Sequence, residues 1–135
     1  MNIEISKKHF RRLLDMAYIG NWVLNATRGE DRITDYDEAE SALFAHCPAA
    51  GMRPLCELAE GEVVPSRAFA EGGIHEAIMD YEDTIFFDIL AEELARRDME
   101  HDADDMDDTE RLNERISAYI AEFERNGTDN ISLDL

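Results

Sequence analysis

The sequence predicts an all-α protein, a single-domain helical bundle spanning residues 1–135 and built from about four main helices. Three observations predict it. Apolar residues recur at three- and four-residue steps along four separate stretches, the period at which side chains return to one helix face. Capping residues, or Gly and Pro, bound each stretch. Strict apolar–polar alternation, the strand signal, is confined to two short terminal segments.

The first helix is expected from an N-cap at Ser6 to Arg28, with Gly29 as the terminating residue. Phe10, Leu13, Leu14, Ala17, Tyr18 and Leu24 make its apolar stripe, and Met16, Ile19, Trp22 and Val23 widen that stripe towards the opposite side. A helix apolar over so much of its circumference is central to a bundle or shared between protomers. The second helix should begin near Asp35, where Asp35 and Glu38 have capping-box spacing, and bury Tyr36, Ala39, Leu43 and Phe44. Pro48 ends it by disfavouring helical geometry at Cys47.

Residues 48–73 carry Pro54, Pro65, Gly51, Gly61, Gly72 and Gly73. They read as loops with short helical turns, one starting at Pro54 and another capped by Ser66. The third helix, Ile74 to Met99, would span about 40 Å. Its stripe drifts from Ile74, Ile78, Tyr81, Ile85 and Ile89 to Phe86, Phe87, Leu90 and Leu94, so it should meet different neighbours along its length. The fourth, Thr109 to Arg125, has a narrow seam of Leu112, Ile116, Tyr119, Ile120 and Phe123. Asp107 and Glu110 have capping-box spacing before it, and Gly127 follows it. At the termini, Ile3 and Ile5 alternate with polar residues, as do Ile131, Leu133 and Leu135, and a small β-pair between the two ends is expected.

Charge sets the functional expectations. Thirty-two acids face 13 bases, for a net charge of −19. The first 32 residues run the other way, with six bases against four acids, while the remaining 103 hold seven bases and 28 acids. Such a surface repels nucleic acid and anionic membranes and attracts basic partners. It equally fits a solubility or salt adaptation. No apolar run approaches the roughly 20 residues of a membrane span, no signal peptide is evident, and Cys47 and Cys56 are too few for a disulfide framework. A cytoplasmic location follows as the expectation.

The candidates for chemistry are sparse, and no cofactor is expected. His75-Glu76 opens an HExxH-like pattern, but Met79 stands where the second histidine belongs. Glu82, seven residues past His75, shares its helix face. Asp98, His101 and Asp105 would share a face if the third helix continued that far, so His75, Glu82, Asp98, His101 and Asp105 are the metal candidates. None of the four histidines completes a Glu-x-x-His pair of the di-metal type, and the run from Asp102 to Asp108 lacks EF-hand spacing and reads as a solvated linker. His46, Cys47 and Cys56 lack the paired spacing of a closed zinc site. Asp88 falls with Asp80, Thr84, Ala91 and Glu92 in the polar wedge of the third helix and should face water.

The one positive patch is Lys7, Lys8, Arg11 and Arg12, which repeats at i, i+4 and forms a basic edge beside the apolar stripe. Together with Trp22 it is the candidate interaction site, suited to docking on this protein's own acidic surface within a bundle or across a dimer. The expected function is therefore a non-catalytic cytoplasmic interaction or regulatory protein, homodimeric and open to a basic protein partner. The alternatives are a carboxylate/histidine metal-binding helical enzyme, an acidic DNA mimic, and a small-molecule pocket beneath Trp22 and the aromatics of the third helix.

Overall fold

The all-α expectation holds. In the computed structural model, which describes residues 1–101 and 109–135, four main helices are joined by short turns and one two-stranded antiparallel sheet. The chain forms two compact units, residues 1–78 and 79–135.

In the first unit, α1 (Lys7–Asn25) starts where expected, with the Ser6 hydroxyl accepting from the His9 amide at 3.2 Å. It ends three residues earlier than the apolar period suggests. Asn25 is 1% exposed, and its side chain accepts from the Ile33 amide at 2.9 Å and donates to the Ile33 carbonyl at 3.0 Å. That pairing of one amide side chain with one peptide turns the chain back through residues 26–33. It also delivers Ile33 as the N-cap of α2 (Thr34–Phe44). The expected Asp35–Glu38 capping box is therefore not formed. Helix α2 starts one residue earlier, and Asp35 and Asp37 sit in its first turn, where their charge favours the helix dipole.

Beyond α2 the chain makes a 3-10 turn at Arg53–Leu55 and then a hairpin, β1 (Cys56–Ala59) with β2 (Glu62–Pro65). The pairing runs from Cys56 opposite Pro65 to Ala59 opposite Glu62, and the two turn residues, Glu60 (φ 53) and Gly61 (φ 87), take the positive φ of a two-residue hairpin turn. The small β-pair thus lies at 56–65 and not at the termini. Residues 1–6 and 131–135 have no strand partner among the described residues. Those segments are too short to offset the entropy of ordering them.

Ser66 then caps α3 (Arg67–Phe69) by accepting from the Phe69 amide, while its hydroxyl donates to the Pro54 carbonyl. A wide turn over Ala70–Ile74, with Gly73 at φ 102, leads into α4 (His75–His101). Leu14, Phe44, Cys47, Phe69 and Ile74 form the buried core, flanked by Phe10, Tyr18, Ile19, Leu43, Met52, Leu55, Cys56 and Val63. Both cysteines are free, and burial pushes the Cys47 thiol up to about 11.

The second unit holds most of α4, α5 (Thr109–Asn126) and the C-terminal tail. The α5 seam docks as its spacing predicts: the Phe123 ring lies 5.5 Å from Phe87, and the Tyr119 hydroxyl donates to Asp98 at 2.6 Å. Gly127 (φ 55) follows α5 in the left-handed conformation that ends helices. Asp107, the expected cap of α5, lies outside the described residues.

The Tyr119–Asp98 bond yields a first prediction. The Tyr119 hydroxyl, followed by the Arg97 guanidinium, holds the Asp98 carboxyl below its ordinary range. A carboxyl so lowered adds stability above its unfolded pKa, and that stability is lost as the pH falls through its folded value. Tyr119→Phe should therefore cost about 1 kcal/mol at neutral pH, the modest figure appropriate to part-exposed partners. The deficit should shrink below about pH 4, where unfolded Asp is protonated. Urea titrations of both proteins at neutral and acid pH decide it, and a deficit constant across pH would refute the assignment.

Candidate interaction surfaces

The metal candidates do not converge. His75 turns inward, its Nε2 lying 2.7 Å from the Tyr18 hydroxyl and its ring 4.8 Å from Trp22. Glu82 is exposed on α4. The carboxylate of Asp98 is engaged by Tyr119, by Arg97 at 2.8 Å and by Arg115 at 3.7 Å. The side chain of His101 and the whole of Asp105 lie outside the described structure. Among the described residues, no three His, Cys, Asp or Glu side chains are grouped as a metal site. Trp22, 38% exposed, packs with Tyr18 and His75. Asp88 is exposed, as its place on the helix wheel predicts.

The basic cluster divides into two halves. Arg11 and Arg12 both pair with Asp15, and the Arg11 guanidinium also lies 5.0 Å over the Phe69 ring. Lys7 and Lys8 are exposed and form no ion pair among the described residues. The basic edge is thus half internal staple and half open charge.

Two apolar surfaces complete the inventory. On the first unit, Met16 (68% exposed) and Val23 (69%) stand seven residues apart on α1, beside Tyr36 of α2. Between the two helices lies a small groove in which Ala17, Gly20 and Ala39 are flanked by the larger Met16, Leu24, Tyr36 and Leu43 and by polar Asn21 and Glu40. At the start of α1 it meets a wider cleft of about 820 Å³ between the N-terminal arm and Phe10, Leu13, Ala42, Leu43 and His46. At the far end Asn21 donates to both Asp37 and Glu40, and Arg32 holds Asp37 below its ordinary range. Burial instead raises Glu40.

The second surface lies on α4 of the other unit. Met79, Tyr81, Phe86 and Ile89 are each more than half exposed. Between residues 79 and 93 the sequence places six acids, Asp80, Glu82, Asp83, Asp88, Glu92 and Glu93, and no Lys or Arg. The drift of the α4 stripe anticipates this surface, since residues on two sides of one helix cannot all be covered by a single neighbour.

No described helix is long and apolar enough to cross a membrane. Compared with known protein families, curated proteins and solved structures, the chain matches none.

Proposed function

We propose that this chain is a non-catalytic cytoplasmic interaction protein that acts as a homodimer and receives a basic protein partner on its acidic surface. The observation that carries the reading is the α4 face between residues 79 and 93, where exposed Tyr81, Phe86 and Ile89 stand among six acids, of which Glu92 is paired with Arg96 one turn on. Apolar anchors ringed by a single sign of charge suit a basic amphipathic segment. The anchors supply contact energy, while the acids steer the encounter and reject acidic competitors. The net charge of −19 acts in the same sense. The −21 carried by residues 33–135 argues against nucleic acid as the ligand.

The test is affinity capture from the native source at low and high salt, with the wild-type chain and a Phe86→Ser/Ile89→Ser variant as baits. A basic protein retained by wild type at low salt, released at high salt and lost from the variant is the expected result. Capture that the variant leaves unchanged would refute the α4 surface. Competition by duplex DNA for the same partner would favour the DNA-mimic form of the reading.

A further inference from the structure

We infer that the outer face of α1 and α2 is a self-association surface, and that two copies pair on it antiparallel about a twofold axis near Met16 and Gly20. The inference gives the homodimer of the proposed function its interface. It starts from the distribution of charge along α1. Exposed Lys7 and Lys8 lie at its first turn and form no ion pair among the described residues, while Arg12 beyond them is paired with Asp15. Exposed Glu30, Asp35 and Glu38 lie around its opposite end, where α2 begins, and make no ion pair among the described residues. Lys8 and Asn25 are about 25 Å apart along the helix, some three Debye lengths at physiological ionic strength. The basic end therefore cannot neutralise the acidic end of the same layer.

A second copy laid antiparallel can. It brings each basic end over the partner's acidic end, whereas a parallel copy sets like charges together. A twofold axis makes both contacts at once, because an isologous interface repeats every pairing. Between the ends stand exposed Met16 and Val23, and Gly20 and Ala39 line the groove beside Met16. A two-helix face about 25 Å long and 20 Å wide buries on the order of 1,000 Å² in total, the lower bound of a specific interface. Area alone does not set the affinity, so self-association is read from micromolar to several hundred micromolar chain.

Sedimentation equilibrium of the full chain across that range tests the inference. The wild type should be a reversible dimer that weakens with salt. Lys8→Glu and Asp35→Lys/Glu38→Lys should each weaken self-association about tenfold or more. An equimolar mixture of the two should restore charge-matched contacts at both ends, because an acidic end of one variant meets a basic end of the other at each, and should recover much of the affinity. Met16→Glu should abolish the dimer in either background, and circular dichroism confirms that each variant folds. A monomeric wild type at several hundred micromolar, or a mixture no tighter than its components, overturns the inference. Capture of a basic partner on α4 by the monomeric variants would still leave that part of the proposed function standing, so the two failures are distinguishable.

Discussion

Replacing Phe69 with alanine is expected to cost about 3–5 kcal/mol, the range for deleting a buried aromatic ring. Phe69 is 1% exposed and is contacted from three directions. Its ring meets Phe44 edge-on at 5.0 Å and Tyr18 at 5.2 Å, and the Arg11 guanidinium lies over it at 5.0 Å. Truncation removes the apolar area, two aromatic edges and the platform that holds Arg11 beside Asp15. A domain is stable by only about 5–15 kcal/mol in total, so the first unit should lose a large share of its stability. Phe69→Leu keeps most of the volume and loses the ring edges, and about 1–2 kcal/mol is expected for it. Trp22, the single tryptophan, lies in the same unit and reports its unfolding by fluorescence. A Phe69→Ala midpoint in urea equivalent to less than 1 kcal/mol would mean that this ring is not the centre of the core.

Why Phe69 escapes a sequence reading is instructive. It sits in a three-residue helix between a hairpin and a glycine-broken turn, where neither helical nor strand periodicity has room to develop. The Ser66 cap is legible, because a hydroxyl before a short apolar run has a local physical reason to be there. The depth of burial of Phe69, three residues later, is not, since it depends on Tyr18 and Phe44 arriving from distant parts of the chain. The four long helices are legible for the opposite reason: each repeats its apolar signal over several turns, and Ser6 and Gly127 punctuate it locally. The hairpin is hidden because Glu60-Gly61 carries only half of the usual turn signal, and the non-glycine residue also takes positive φ.

The candidate surfaces divide along the same line. Excess apolar width on α1 is readable from Met16, Ile19, Trp22 and Val23, but which of them remain open is not. Trp22 packs against Tyr18 and His75 and keeps part of its surface open, while Met16 and Val23 stay far more exposed. Likewise, four bases at i, i+4 spacing look alike in sequence. Asp15, one turn on, draws Arg11 and Arg12 into ion pairs and leaves Lys7 and Lys8 open.

Asn25 should be the most sensitive polar position in the chain. Its amide satisfies the Ile33 N–H and C=O together and also donates to Asn21 at 2.7 Å, all at 1% exposure. Asn25→Ala leaves buried polar groups without partners and unties the turn that starts α2. Desolvation of about 1–3 kcal/mol for such a group, added to the loss of the bonds, puts the cost at roughly 2–4 kcal/mol. For a unit of this size each kcal/mol lowers Tm by about 4–8 °C, so a fall of at least about 8 °C is expected.

Asn25→Asp separates the hydrogen bonds from the packing. It keeps an acceptor for the Ile33 amide but presents a buried carboxylate to the Ile33 carbonyl and the Asn21 oxygen, both of which require a donor. Burial without a cation raises such a carboxyl, so its ionised form destabilises the fold above the folded pKa, and the penalty disappears as the pH falls through that value. Asn25→Asp should therefore be worse than wild type at neutral pH and recover on acidification, while Asn25→Ala shows no such recovery. Thermal melts followed by Trp22 fluorescence at neutral and acid pH distinguish the two. Equal pH profiles would show that the Asn25–Ile33 pairing does not organise the turn. Because the same turn presents Glu30 and Asp35, its loosening in Asn25→Ala should also weaken self-association without any charge being changed.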